Sequence, residues 1–176
     1  MNTLNRLFQY IPILQMLQRE KGAQVLEVGC GSRGMVAFWA GKAIDCDIDF
    51  TDFRGMPRPI ENNLIPLKGT AAALPFRDSS FDYVACVDLL EHLLPTQRHN
   101  AISECFRTSR RRLFLAFPNG VCAVVSDQRI YRHWLRQRSR IQPTLAEQSY
   151  YRLPRLSEVA KILRRLPCVW IFKKGN

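Results

Sequence analysis

Apolar and polar positions alternate in blocks along the chain. Residues 3–20 repeat apolar side chains at helical spacing (Leu4, Leu7, Phe8, Ile11, then Leu14 and Leu17). Pro12 opens a second helical piece there and Gly22 closes it. Short apolar runs then recur near 24–28, 43–48, 64–67, 82–87, 112–117 and 168–172. Their nearly continuous apolar character suits strands covered on both faces. Helical stretches near 34–40, 95–108 and 156–165 stand between them. This alternation predicts an α/β fold with a parallel, doubly wound sheet. Phe50 to Asn63 contains Gly55, Pro57 and Pro59, so a loop or single turn is expected there. Residues 121–155 break the pattern and are rich in aromatic and basic groups (Tyr131, Arg132, His133, Trp134, Tyr150, Tyr151). This insertion either folds back over a ligand site or packs as an element at the sheet edge.

With 176 residues, the chain reads as one domain. It comprises an N-terminal helical segment (1–22), a core (23–120), the insertion (121–155) and a final helix and strand (156–176). Apolar residues make up 47% of it, enough to argue against disorder. No run approaches a membrane span, and Leu7 to Leu17 is too short and too interrupted for a signal peptide. Cysteines at 30, 46, 86, 105, 122 and 168 show no metal-finger spacing. They read as free, mostly buried thiols, and a cytoplasmic location is expected.

Charge is unevenly placed. Residues 1–88 hold 9 Lys/Arg against 10 Asp/Glu, so the whole-chain totals of 26 and 15 leave 17 against 5 for residues 89–176. The basic surplus lies in Arg107–Arg112, Arg129–Arg140 and Arg152–Lys174. It is either a solvated surface or a face for an anionic substrate, a membrane surface or nucleic acid.

Candidate chemistry begins at Val25-Leu26-Glu27-Val28-Gly29-Cys30-Gly31-Ser32-Arg33-Gly34, a strand ending in a glycine-rich turn before a helical stretch. Such a turn lets a ligand approach backbone amides without meeting a Cβ. The Gly29-x-Gly31-x-x-Gly34 spacing also fits a dinucleotide site, and Asp47, 18 residues after Gly29, could grip a ribose in either case. Glu27 discriminates. A carboxylate at the strand end repels pyrophosphate and suits a ligand carrying an ammonium and a sulfonium, so the turn reads as a site for S-adenosylmethionine rather than NAD.

Three further motifs follow in order: Gly69-Thr70-Ala71-Ala72-Ala73-Leu74-Pro75-Phe76, Ser80-Phe81-Asp82-Tyr83-Val84 and Leu90-Glu91-His92. Together with Glu27-x-Gly29-x-Gly31 they resemble the class I (Rossmann-like) S-adenosylmethionine-dependent methyltransferases of the type 11 group, over roughly residues 20–120. The resemblance implies a three-layer, mostly parallel Rossmann-like sheet and methyl transfer to a small-molecule acceptor. It implies cofactor contacts from Glu27, Gly29, Cys30, Gly31, Asp47, Thr70, Ala71, Leu74 and Cys86. One departure stands out: Thr70 takes the place of the usual acid that binds the adenine amino group, and a hydroxyl accepts that bond more weakly. Residues 169–172 read as one further strand only, so either the sheet lacks the family's usual last strand or the chain is a shortened one. An exposed apolar edge there predicts modest stability or a homodimer.

His92 is the candidate general base, since it follows the fourth strand and its ordinary pKa suits proton transfer near neutrality. Capping of the next helix or packing against the sheet is the alternative reading. Asp88, Glu91 and His92 would share a face if helical and could then hold a metal, but acids stabilised at a helix start are the simpler reading, and no metal is expected. Asp82 reads as a turn-fixing residue, and Asn119 as a turn residue within reach of an acceptor. A binding or scaffold protein on the same fold, using its basic half, is the rival to an enzyme. An NAD enzyme is the less favoured third reading.

Overall fold

The computed structural model describes residues 3–30, 34–47, 63–136 and 150–171. Five parallel strands are described: β1 (Val25–Val28), β2 (Ala43–Asp47), β3 (Leu64–Lys68), β4 (Phe81–Val87) and β5 (Ser109–Ala116). Their order is β3-β2-β1-β4-β5. The chain winds outward one way from β1 and then returns to wind the other way from β4. The reversal between β1 and β4 is where such sheets open a crevice at the carboxyl ends of the strands.

Side-chain alternation sorts the core into two layers on either side of the sheet. Tyr83, Ala85 and Val87 of β4 pack with Tyr10, Ile13, Leu14 and Leu17 of helix α1 (Thr3–Leu17). Val84 and Cys86 pack on the opposite face with Ala101, Ile102 and Cys105 of α2 (Pro95–Thr108). A later helix, α4 (Leu156–Leu163), adds Val159 and Ile162 to that second layer. Between α2 and α4 in sequence, α3 (Val121–Arg136) follows β5. The result is the expected three-layer doubly wound sheet. α2 spans the anticipated residues, with Pro95 in its first turn, where its missing N–H is harmless.

Four expectations are corrected. Pro12 lies inside one continuous helix and is exposed, while Ile13 and Leu14 beside it are buried; that burial offsets the one lost hydrogen bond. The helix expected at 34–40 is only a single 3₁₀ turn, Met35–Ala37. It stops because the next residues bend: Asn63 Nδ2 donates to the carbonyls of Trp39 and Gly41, both at 2.8 Å. β5 begins at Ser109 rather than 112, immediately after α2. Its arginines extend because Asp82 anchors them, with Arg110 Nη1 at 3.2 Å and Arg111 Nε at 3.4 Å. No strand forms at 168–171; Val169 and Ile171 there are 98% and 83% exposed. A short apolar run does not make a strand without a neighbour to pair with.

Candidate functional site

The glycine turn is built from buried carboxylates. Glu27 of β1 and Asp45 of β2 are register partners, and both are almost fully enclosed. Asp45 accepts the amide of Cys30 at 3.2 Å on Oδ1 and the Cys30 thiol at 2.7 Å on Oδ2. It therefore ties the turn back onto the neighbouring strand. Glu27 accepts the Tyr10 hydroxyl at 2.5 Å on Oε1 and the Met35 amide at 2.7 Å on Oε2. That geometry explains Gly34, where an added Cβ would collide with Glu27 Oε2 and fall 2.8 Å from Cys30 Cβ.

Gly29 has a different reason to be glycine. Its φ is +71°, and a Cβ would lie 2.7 Å from Leu89 Cδ1. Leu89 reaches that position because Asp88 turns the chain sharply at the end of β4 with φ +52°. Asp is among the few residues that tolerate this backbone. Asp88 is held from both sides: its amide donates to the Ala116 carbonyl at 2.9 Å, and its Oδ1 accepts Gln9 Nε2 at 2.8 Å. Helix α1 thus reaches the carboxyl ends of both central strands through consecutive residues, Gln9 and Tyr10.

The other wall is fixed from α2. Arg107 donates to the carbonyls of Phe76 (2.7 Å) and Leu74 (3.1 Å) and to Asp78 Oδ1 (2.8 Å). Glu104 accepts the Leu74 amide at 2.9 Å and pairs with Arg107 at 2.7 Å. The Arg107 hydrogen bond holds the Glu104 carboxyl below its ordinary value. Residues 74–78 are therefore locked onto α2 through Arg107, which pairs with both Glu104 and Asp78.

Most of the sequence candidates gather at this edge. Gly29 and Cys30 form the turn, and Asp47, half-buried, ends β2 beside it with its carbonyl accepting Gly69 N at 2.8 Å. Ala71 and Leu74 line the loop that follows β3 and are buried. Gly31 lies outside the described residues. Glu27 departs from expectation. It is 1% exposed, so it sits beneath the turn as a structural hub and not as an open carboxylate. Thr70 is exposed, and its hydroxyl accepts the Ala72 amide at 3.3 Å, closing its own turn. Cys86 is a core group: it is fully enclosed, and its hydrogen bond with Cys105, then burial, push its thiol pKa well up.

His92 ends a 3₁₀ turn, Leu90–His92, and is half-buried. Since this segment is not an α-helix and Asp88 has the left-handed backbone, Asp88, Glu91 and His92 do not share one helical face. Among the described residues, no group of three His, Cys, Asp or Glu is placed to hold a metal ion. Asp82 is structural as anticipated, though it accepts the distant Gln24 amide at 3.0 Å instead of a local one. Nothing in the local pattern marks Tyr10, Asp45, Arg98 or Arg107 as important. Tyr10 looks like one more apolar helix position, and the arginines look like solvated surface.

The family described as "Methyltransferase domain" matches residues 26–117. No curated protein matches. Among solved structures, magnesium protoporphyrin IX methyltransferase from Synechocystis, with bound S-adenosylhomocysteine, is similar with a TM-score of 0.59 and 18% identity over 94% of this chain and 77% of that one. A proposed methyltransferase of Bacillus halodurans gives 0.57 and 19% over 88% and 66%. A protein of Pyrococcus horikoshii gives 0.54 and 19% over 73% and 62%. The match thus spans under two thirds of the latter two proteins' own length. At these identities the likeness is one of fold.

Proposed function

Since this chain belongs to the methyltransferase domain family, we propose that it binds S-adenosylmethionine at the carboxyl edge of β1, β2 and β4 and transfers its methyl group to a small-molecule acceptor. The carrying observation is the Gly29–Cys30 turn, pinned to the neighbouring strand through the Cys46 carbonyl and the Asp45 carboxylate, with Asp47 ending that strand. The acids gathered at this edge suit a nucleoside bearing a positive charge. The cofactor supplies a methyl group on a cationic sulfur, already activated toward a nucleophile, so the protein's part is positioning and electrostatics.

Each residue then has a defined task. Gly29 and Cys30 form the tight turn over which the ligand lies, with Leu89 packed against Gly29. Asp47 receives the ribose hydroxyls. Ala71 and Leu74, on the loop that Arg107 locks, form the apolar wall for the adenine. Glu27 acts through its field: its charge, fixed by Tyr10 and Met35, makes the floor of the turn negative beneath a cationic ligand. Where the acceptor carries a proton, His92 takes it, since its turn continues directly from the end of β4.

Calorimetric titration with S-adenosylmethionine, S-adenosylhomocysteine and NAD tests this reading. Both sulfur ligands should bind and NAD should not. Asp47→Ala should weaken binding by roughly ten- to a hundred-fold, the worth of a charge-assisted hydrogen bond or two. Unchanged affinity in that variant would refute the ribose assignment. Absence of binding by the parent chain would turn the reading to the scaffold alternative, which the locally satisfied Thr70 hydroxyl would then favour.

A further inference from the structure

Helix α3 leaves the carboxyl edge of the sheet soon after β5 and turns apolar side chains to solvent. Val124 and Val125 are 40% and 38% exposed. Arg129, Arg132 and Arg136 are exposed as well. Helical spacing places Val125, Arg129, Arg132 and Arg136 along one stripe, three or four residues apart. A basic stripe therefore runs on from a pair of uncovered valines. Two more apolar side chains stand out at the same edge. Leu94, 39% exposed, follows the Leu90–His92 turn. Phe8, 66% exposed, precedes Gln9, whose amide is bonded to Asp88 at the end of β4.

We infer that α3 docks this protein on an anionic lipid surface, with its valines at the acyl boundary and its arginines among the headgroup phosphates. No described helix is long and apolar enough to cross a membrane. Charge complementarity selects an anionic partner, and the valines select among anionic partners. A nucleic-acid backbone would pair the arginines and leave Val124 and Val125 in water. A bilayer takes both groups, because apolar side chains sink below the headgroups while arginine stems extend along them. A fluid surface also needs no matching shape for a convex helix. This inference concerns the attachment of the protein and does not depend on methyl transfer.

Co-sedimentation of the full chain with phosphatidylcholine vesicles, with and without phosphatidylserine, tests it. Binding is expected only to the phosphatidylserine vesicles, and it should weaken as salt rises. The triple variant R129Q/R132Q/R136Q should lower partition by about 100-fold, since each arginine near such a surface is worth about five-fold. The double variant V124D/V125D should also lose binding. Its circular dichroism spectrum and its titration with S-adenosylmethionine should match the parent, because both valines are on the surface. Equal binding to both vesicle types, binding to neither, parental binding by V124D/V125D, or tighter binding to random-sequence duplex DNA than to vesicles would each overturn the proposal.

Discussion

Arg98 is an arginine in α2 that is 1% exposed, and its replacement is the sharpest test of how this fold is held together. Its Nε donates to the Leu90 carbonyl at 2.9 Å, and Nη1 lies 3.2 Å from Glu158 Oε2 on α4. Nη2 donates to the Tyr151 carbonyl at 3.3 Å and to the Arg152 carbonyl. One guanidinium therefore joins the turn that carries His92, the 151–152 segment and the last helix. Arg98→Met keeps most of the length and apolar packing but removes every donor. The Leu90 carbonyl keeps the Leu93 amide at 3.3 Å but loses its charge-assisted bond, at a cost of about 1.5–3 kcal/mol. Arg152 is exposed and its carbonyl can find water, so it adds little. The Glu158 side chain is 31% exposed, which screens its lost partner and reduces that contribution. Together with the half-buried Tyr151 carbonyl, the sum is about 3 kcal/mol, at the low end for a broken buried ion pair. For a chain of this size that is a fall in Tm of roughly 6–12 °C. Thermal and urea unfolding followed by circular dichroism measure it. Glu158→Gln, which keeps an acceptor, should cost about 1 kcal/mol. An Arg98→Met variant within about 0.5 kcal/mol of the parent, the scale of a neutral surface change, would refute the account.

Other outcomes follow from the same geometry. Tyr10→Phe removes the hydroxyl that donates to Glu27, so stability should fall by about 1.5–3 kcal/mol. S-adenosylmethionine should also bind that variant more weakly by calorimetry, and parental affinity would detach Glu27 from the site. Glu104 has a folded pKa below its ordinary 4.5, so its contribution to stability is complete above that value and disappears as pH falls through the lower folded value. Unfolding measured across that acid range should therefore lose part of its slope in Glu104→Gln. Burial, aided by Asp45 and Asp47, pushes the Cys46 thiol up to about 11, so maleimide at pH 8 should label half-buried Cys168 well before Cys46 in the native protein, as mass mapping would show.

The sheet is largely legible in the sequence. Buried strands announce themselves by apolar runs whatever their neighbours, and four of the predicted runs coincide with β1 to β4 within a residue or so. The motif order locates the ligand edge for the same reason: a turn that must be glycine is a local requirement at Gly29, whose φ is +71°. Residues 168–171 show the limit of that logic. Their apolar character is suited to a strand, but strand formation needs a pairing partner, and composition does not say whether one is present. Residues 34–40 depart from their pattern similarly: Asn63, far away in sequence, holds the carbonyls of Trp39 and Gly41 in a bend that local composition does not announce.

The sequence by itself thus determined the order of elements, the glycine turn and the acids available near it, because each follows from backbone conformation and local patterning. Only the tertiary structure decided what those acids do. Glu27 has the pattern of an open carboxylate yet is enclosed by Tyr10 and Met35, and Arg98 has the pattern of a surface residue yet is the buried tie between α2 and α4. Burial and hydrogen-bond partnership are properties of pairs brought together across the fold, 60 residues apart in the case of Arg98 and Glu158, and no single position carries them.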